Sequence, residues 1–395
     1  MGCTLARLVA AQICIHATMA GTRMAAPLLA LRMGYSAVAV GALLSLFALA
    51  QVFLALPAGR YTDRYGLKRP VRLAVVAGCV GAGAAFIWPV YSMLCLAALL
   101  TGAATGVATI ALQRHVGRAA HDALQLRQMF SWLSIGPAAS NFLGPFGAGL
   151  LIDHAGAQAG SDTGYRAAFL FMALLPLLTW FWVRAVQDQP GAPTAGGPRP
   201  RAWDLMGDGA FRRLLVVNWL ISSSWDVHTF VVPLLGHQRE LPASVIGAIL
   251  GAFAIAAAAV RVVIPLVAER LRESTVVACA MVMAALVFAI YPLMPSAALM
   301  GLCAVLLGLA LGCVQPMVMS MLHQITPPQR HGEALGLRLM IINASSVAVP
   351  MLFGYAGTLI GVGGLFWIIG AGVGSGARTA WRLQDGAPPQ GQEGH

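Results

Sequence analysis

The chain has 395 residues, of which 58% are hydrophobic and only 10% charged, with a formal net charge of +11. Charged residues make up about a quarter of a soluble domain, so this composition excludes a water-soluble globular protein. Its apolar runs are continuous, whereas a membrane β-barrel shows alternating segments of about 10 residues, so we predict an all-α membrane protein.

Twelve apolar runs of spanning length follow one another along the chain. A spanning helix needs about 20 apolar residues, and we place the spans at residues 5–31, 37–58, 71–90, 92–113, 129–152, 166–184, 212–235, 244–268, 274–292, 297–321, 336–360 and 362–381. The first run follows Arg7 and lacks a clean signal-peptide cleavage site near its end, so we expect it to be an uncleaved helix.

The positive charges are unevenly distributed between alternate loops. With a cytoplasmic N-terminus, the outer side receives only Arg23, Arg32, Arg166 and Arg239. The positive-inside rule then predicts a multi-pass protein of the cytoplasmic (inner) membrane with both termini in the cytoplasm. Orientation in the lipid bilayer explains the net charge, and we expect no binding to nucleic acid.

The first span carries polar residues on one face. Gln12, His16, Met19 and Arg23 follow one another at steps of four, three and four residues, which is helical spacing. Polar side chains in lipid are costly and usually face a cavity or a partner. We therefore predict that Gln12, His16 and Arg23 line a substrate or proton cavity, with Arg23 binding an anionic group or a carboxylate of the protein.

A dense charge cluster separates the second and third spans: Gly59-Arg60-Tyr61-Thr62-Asp63-Arg64-Tyr65-Gly66-Leu67-Lys68-Arg69-Pro70. Gly59 and Gly66 permit a tight, close-packed turn. Asp63 can cap a neighbouring helix N-terminus, where the helix dipole favours an anion. The basic residues Arg64, Lys68 and Arg69 are expected to contact lipid headgroups or the other half of the protein. The alternative is a loop that only anchors the topology.

This loop resembles the one between the second and third helices of the major facilitator superfamily. The resemblance implies twelve transmembrane helices in two pseudo-symmetric six-helix bundles around a midplane cavity lined by the first and seventh helices. It also implies a gating loop, in which Asp63 pairs with an arginine of the far half and locks the cytoplasmic side shut in the outward-open state.

The fourth span departs from one pattern of the superfamily. Many of its proton antiporters carry an arginine four residues before a glycine, where this chain has Ala98 ahead of Gly102. The usual proton-coupling residue is therefore missing, and whether Arg23 and Asp226 replace it is left open.

The fifth span contains Asn141-Phe142-Leu143-Gly144-Pro145-Phe146-Gly147-Ala148-Gly149. This segment resembles the glycine-proline motif of the superfamily's antiporters, which are mostly exporters. Glycines let helix backbones touch and proline permits a kink, so a packed hinge is expected at Gly144, Pro145, Gly147 and Gly149. The alternative is generic glycine-rich packing.

The longest polar interruption falls after the sixth span and is rich in glycine and proline, which is typical of a flexible linker to which no chemistry need be assigned. We predict an N-terminal six-helix bundle, a cytoplasmic linker, a C-terminal six-helix bundle and a disordered cytoplasmic tail, at residues 1–186, 187–210, 211–383 and 384–395.

The seventh span holds Asn218, Trp225, Asp226 and His228. Desolvation disfavours the charge of a lone buried carboxylate, so Asp226 is a candidate proton carrier. It could instead form a permanent ion pair with Arg23 or lie in water at the outer interface. His16 and His228 could bind protons or simply pack. Other candidate cavity residues are Asn141, Gln315 and Asn343.

The loop between the eighth and ninth spans is the expected counterpart of the Asp63 loop. Pro265 is followed four positions later by Glu269-Arg270 and then by Arg272, and Glu269 lies 269 − 63 = 206 residues after Asp63. Parallel repeats of this kind are found in the two halves of the superfamily.

These observations predict a monomeric secondary transporter that exports a small organic molecule, such as a drug or a secreted metabolite of the siderophore class, by proton antiport. The alternatives are an importer of a small anionic solute and a non-transporting membrane sensor or scaffold. The sequence shows no Walker loop, metal-ligand motif or paired carboxylates within a span, so we expect neither an enzyme nor a cofactor or metal.

Overall fold

Long helices make up most of this computed structural model, which describes residues 2–154, 162–189, 202–241, 243–267 and 272–383. In chain order the helices of this part are α1 Gly2–Arg32, α2 Ala37–Tyr65, α3 Lys68–Ile87, α4 Tyr91–Ala119, α5 Ala123–His154, α6 Thr163–Arg184, α7 Gly209–Gln238, α8 Ala243–Val267, α9 Glu273–Ile290, α10 Ala297–Ile325 and α11 His331–Trp381. Short 3-10 helices lie at Ala202–Gly207, Tyr291–Leu293 and Pro328–Arg330. The described residues contain no strand, which confirms the all-α prediction. Much of the predicted linker and the whole predicted tail lie outside the described residues.

Helix α11 contains two of the predicted spans. Its backbone is non-helical at Gly361, with φ 74° and ψ 165°, a conformation that glycine adopts readily. This break falls at the predicted boundary between the last two spans, 336–360 and 362–381. Counted on either side of the break, the long helices of the described part correspond to the twelve predicted spans.

Seven helices of the described part are long and apolar enough to cross a membrane, and these are α2 to α6, α9 and α10. Helix α8 contributes a shorter apolar stretch, Ala248–Ile264. Helix α1 has the length but carries Gln12, His16 and Arg23 along it. The apolar helices support a multi-pass membrane protein.

The first of two compact units comprises Met1–His121, Trp132–Arg199 and Pro328–Val347. Within it, α4 packs on α2 and α3, and α6 packs on α1 and α3. Small residues allow these close approaches: a side chain at Gly102 would place its Cβ 2.4 Å from the carbonyl oxygen of Phe47. Ala98 lies in the same core, beside Phe47.

The second unit comprises Asp122–Ser131, Pro200–Pro327 and Ala348–His395. Here α10 packs on α8 and α9, and a Cβ at Gly308 would lie 2.4 Å from the Phe253 carbonyl oxygen. The units differ from the two halves of the sequence, because the start of α5 belongs to the second unit and the start of α11 to the first. The start of α11 is thereby placed beside the conspicuous loop between α2 and α3.

Candidate functional site

Asp63 caps the N-terminus of α11. Its Oδ1 accepts a hydrogen bond from the amide of Gly332 at 2.8 Å, and its Oδ2 accepts one from the amide of Glu333 at 3.0 Å. The first amides of a helix have no partner within the helix, and the helix dipole favours an anion there. The predicted capping role of Asp63 is confirmed, and the capped helix lies 269 residues further along the chain.

Glycines bring α2 and α11 into backbone contact at this point. A Cβ at Gly59 would lie 2.1 Å from the carbonyl oxygen of Gly332, and one at Gly332 would lie 2.3 Å from that of Gly59. Gly66, at the C-terminal cap of α2, has φ 76° and makes the turn. Gly59 therefore serves the close approach of two helices, while Gly66 serves the turn.

Arg114, at the end of α4, is the ion-pair partner of Asp63. Its Nε donates to Asp63 Oδ1 at 2.9 Å and its Nη2 to the Asp63 carbonyl at 3.2 Å. The Arg114 side chain is only 1% exposed. The predicted partner was an arginine of the far half of the sequence, whereas the arginine found beside Asp63 belongs to the same half.

Asp188 caps α3 from a distant part of the chain. Its carboxylate accepts hydrogen bonds from the amides of Leu67 at 2.7 Å and Lys68 at 3.2 Å. Leu67, the residue before α3, supplies no side-chain cap of its own. The neighbouring carbonyl of Gln189 accepts from Arg114 Nη1 at 3.2 Å. The predicted linker was expected to carry no chemistry, but its first residues hold the loop and Arg114 in place.

Glu333 completes the set of charged residues, which we call the Asp63 network: Arg60, Asp63, Arg114, Asp188, Arg330 and Glu333. Glu333 pairs with Arg60 at 2.7 Å and with Arg330 at 2.8 Å. Half of the Arg60 side chain is exposed, so that pair adds little to stability. Glu333 was not predicted from the sequence, because an acidic residue in the first turn of a helix is already explained by the helix dipole.

Two of the three remaining basic residues of the loop stack on one aromatic ring. The guanidinium groups of Arg64 and Arg69 lie 5.0 Å and 4.8 Å from the centre of the Tyr65 ring. Both arginines are exposed and Lys68 is half-buried. Their contact with lipid headgroups stays a prediction.

In the second unit, Glu273 forms an ion pair at the start of α9. It is the first residue of α9, pairs with Arg127 of α5 at 3.2 Å, and accepts a hydrogen bond from Gln324 at 2.9 Å. The predicted counterpart, Glu269-Arg270, lies outside the described residues. Glu273 itself lies 273 − 63 = 210 residues after Asp63.

Several candidate cavity residues of the first unit lie together. Gln12 is 2% exposed and donates from Nε2 to Thr109 Oγ1 at 3.1 Å. His16 is hydrogen-bonded to the side chain of Asn141. Arg23 and Asn141 are exposed. Gln12 and His16 thus lie on one face of α1, where they meet Thr109 of α4 and Asn141 of α5.

The candidates of the second unit have different surroundings. His228 is fully buried, with its ring 4.3 Å from that of Phe253 and its Nε2 3.5 Å from the hydroxyl of Tyr291. The Trp225 ring is 4.5 Å from that of Phe253. Asn218 is buried, and Asp226 and Gln315 are half-buried. His228 therefore packs among aromatic rings, and binding of a proton to it stays a prediction.

Asn343 lies on α11, in the segment that belongs to the first unit. Its Nδ2 donates to the carbonyl of Leu339 on the same helix at 2.8 Å. The predicted role of Asn343 in lining a substrate cavity therefore stays a prediction.

The glycine-proline segment of α5 packs against α1. A Cβ at Gly144 would lie 2.6 Å from the Ala17 carbonyl oxygen and 2.8 Å from the Gly21 nitrogen. A Cβ at Gly147 would lie 2.9 Å from the Phe171 ring, while Gly149 has room for one. Pro145 lies inside the helix. Close packing at Gly144 and Gly147 is therefore observed, and a hinge function stays a prediction.

Replacement of Asp188 by alanine should lower both the stability of the protein and the rate of the transport that the sequence predicts. Loss of an N-cap costs about 1 kcal/mol, and Asp188 also fixes the residue next to it, whose carbonyl binds Arg114. Asp208→Ala is the matched control, because Asp208 caps α7 locally, accepting from Ala210 at 2.8 Å. Thermal unfolding in detergent should show a comparable loss for both variants, with transport reduced several-fold for Asp188→Ala alone. Equal transport rates in the two variants would show that the contacts of Asp188 serve stability and are not needed for transport.

Both the sequence and the fold resemble those of known proteins. A family model described as the Major Facilitator Superfamily matches residues 8–223 and 214–394. A bacterial homologue of the iron transporter ferroportin, solved in an outward-facing state, is 15% identical, with a TM-score of 0.78 over 97% of this chain and 99% of that chain. The human organic anion transporter MFSD10 is 17% identical, with a TM-score of 0.76 over 95% of this chain and 99% of that one.

The transporter FucP in its outward conformation is 12% identical, with a TM-score of 0.76 over 95% of this chain and 98% of that one. At these identities the likeness concerns the fold alone. A search of curated proteins finds no match to the sequence.

Proposed function

The chain belongs to the major facilitator superfamily, and we propose that it is a secondary active transporter that exports a small organic molecule in exchange for protons. The observation that carries this proposal is the capping of α11 by Asp63, together with the buried Asp63–Arg114 pair. Alternating access needs contacts that hold one state and release in the other, and a few hydrogen bonds to one carboxylate meet that need.

The direction of transport is inferred from α5. Its glycine-proline segment resembles that of exporting antiporters, and the close packing of Gly144 on α1 supports a role in helix movement. The distribution of arginines supports both termini in the cytoplasm of an inner membrane. We further propose that the protein acts as a monomer built of the two predicted six-helix bundles.

We assign the proton to Asp226. The position where many proton antiporters of the superfamily carry an arginine is Ala98, which is fully buried in the apolar core. Asp226 lies near the middle of α7 and is half-buried. A carboxyl group in such a place can exchange a proton as its surroundings change between states.

The test is uptake of a panel of drugs and dyes into inverted membrane vesicles, for the wild type and for Asp226→Asn, with and without a proton uncoupler. We expect the uncoupler and the mutation each to lower uptake of at least one compound about tenfold, because an amide of the same shape cannot carry a proton. Asp204→Asn, at an exposed site in the same unit, should transport normally.

Equal uptake of every transported compound in all these conditions would make Asp226 structural and the transport uncoupled from protons. The same vesicles test the orientation, because a cysteine in place of Arg330 should react with an impermeant maleimide from outside. Labelling only after the vesicles are opened would show that residue 330 faces the other side of the membrane and would refute the predicted orientation.

A further inference from the structure

Arg23 lies well inside the outer end of α1. Arg32 marks that end, where it pairs with Asp162 at 3.9 Å and lies over the Tyr165 ring at 5.5 Å. Arg23 is nine residues earlier in the same helix, about 13 Å away along the axis. Its side chain is nevertheless exposed. A charge at this depth is costly in lipid, so it faces water or a ligand.

The acidic side chains of the first unit are engaged elsewhere, as far as the structure describes them. Asp63 pairs with Arg114, Asp162 with Arg32, and Glu333 with Arg60 and Arg330, while Asp188 binds backbone amides. Within the described part of this unit, no carboxylate lies within ion-pair distance of Arg23. Among the described side chains of its own unit, its guanidinium therefore has no carboxylate counter-ion.

Polar groups with unused bonding capacity lie on the same face of α1. Gln12 is 2% exposed and held by Thr109, yet its Oε1 is buried without a hydrogen-bond partner. His16 is bonded to Asn141 and lies close enough to Arg23 for an electrostatic interaction, and its Nδ1 also has no partner. Buried polar atoms are rarely left unpaired, so this face is built to receive a polar molecule.

We propose that this face of the first unit, formed by Gln12, His16, Arg23 and Asn141, binds the anionic end of the transported molecule. The proposal rests on the exporter function and names its substrate class as organic anions carrying a carboxylate. The guanidinium of Arg23 offers parallel donors that match a carboxylate. The exposed amide of Asn141, held by His16, donates beside it, and the free atoms of Gln12 and His16 bind polar groups further along the substrate.

The test compares an anionic with a cationic dye of similar shape, fluorescein and rhodamine 123. The full chain is reconstituted into phosphatidylcholine vesicles with an acidic lumen, so that no anionic lipid can serve as the counter-ion. Dye uptake is measured after the vesicles are filtered and lysed. The variants are Arg23→Gln and Arg23→Lys, with Arg32→Gln as the matched control at the exposed end of the helix.

We expect Arg23→Gln to raise the KM for fluorescein about tenfold, equal to about 1.4 kcal/mol at 25 °C, and to leave rhodamine uptake unchanged. Arg23→Lys should be intermediate, because lysine keeps the charge but loses the planar fork. Arg32→Gln should behave as the wild type.

Other results overturn the inference in distinguishable ways. Uptake of rhodamine but not fluorescein by the wild type would refute the anion site and leave the exporter intact. An equal effect of Arg23→Gln on both dyes, or none on either, would make Arg23 structural or irrelevant. Uptake of neither dye would refute the exporter of organic dyes and the anion site together.

Discussion

Replacing Asp63 with asparagine should lower the transport rate about tenfold or more while the protein still reaches the membrane. The carboxylate accepts from Gly332, Glu333 and Arg114. An amide of the same shape keeps one acceptor oxygen and turns its NH₂ towards a donor. Hydrogen bonds to charged groups contribute about 1.5–3 kcal/mol each, so loss of one of them changes the balance between transport states about 10- to 100-fold.

The control for this experiment is Asp162→Asn. Asp162 is also paired with an arginine, but at 3.9 Å and with 42% of its side chain exposed. Exposed pairs contribute little, so this variant should transport normally. Transport is measured in the inverted vesicles described above, with the amount of protein in the membrane determined in parallel. Full activity of Asp63→Asn would refute the gating role of the Asp63 network.

Replacing Arg114 with methionine should strongly destabilise the fold. The methionine fills similar space but leaves the Asp63 carboxylate without its cation, at a site where the arginine is 1% and the aspartate 10% exposed. Breaking a buried ion pair in this way costs about 3–5 kcal/mol. We expect the midpoint of thermal unfolding in detergent to fall by several degrees, whereas Arg60→Met, at a half-exposed pair, should change it little.

A double variant separates loss of charge pairing from loss of packing. If the unpaired carboxylate is the cause, Asp63→Asn should be less harmful in the Arg114→Met background than alone, and the two effects should not add. Additive effects would mean that Arg114 acts mainly through its contacts with the backbone carbonyls of Asp63 and Gln189. That result would assign the stabilising role to these backbone contacts and not to the ion pair.

Agreement between sequence and structure is closest where one physical constraint acts locally. In lipid every backbone polar group needs an internal partner, so apolar runs of spanning length become helices. The break at Gly361 was also predictable, because it falls between two apolar runs and glycine tolerates the φ of 74° found there. The capping role of Asp63 was predictable as well, because a short acidic side chain in a charged loop commonly binds helix amides.

Partners in the site were much less predictable. Nothing in the sequence distinguishes Arg114, the partner of Asp63, from the other basic residues of the loops. Asp188 lies in a segment that reads as a flexible linker, and it binds an amide 121 residues earlier in the chain. Glu273, which the sequence analysis did not single out, pairs with Arg127 in the second unit. In each case the partner depends on which helix ends are neighbours, and spacing along the chain does not contain that information.

The sequence by itself determined the all-helical membrane class, the number and approximate limits of the spans, and the loop in which charge and glycine concentrate. These features follow from hydrophobic length and from backbone hydrogen bonding, which act on each segment separately. Only the tertiary structure decided that Asp63 caps α11, that Arg114 neutralises it, and that Asp188 caps α3. Those pairings arise when glycines let distant helices touch, so they depend on packing across the whole unit.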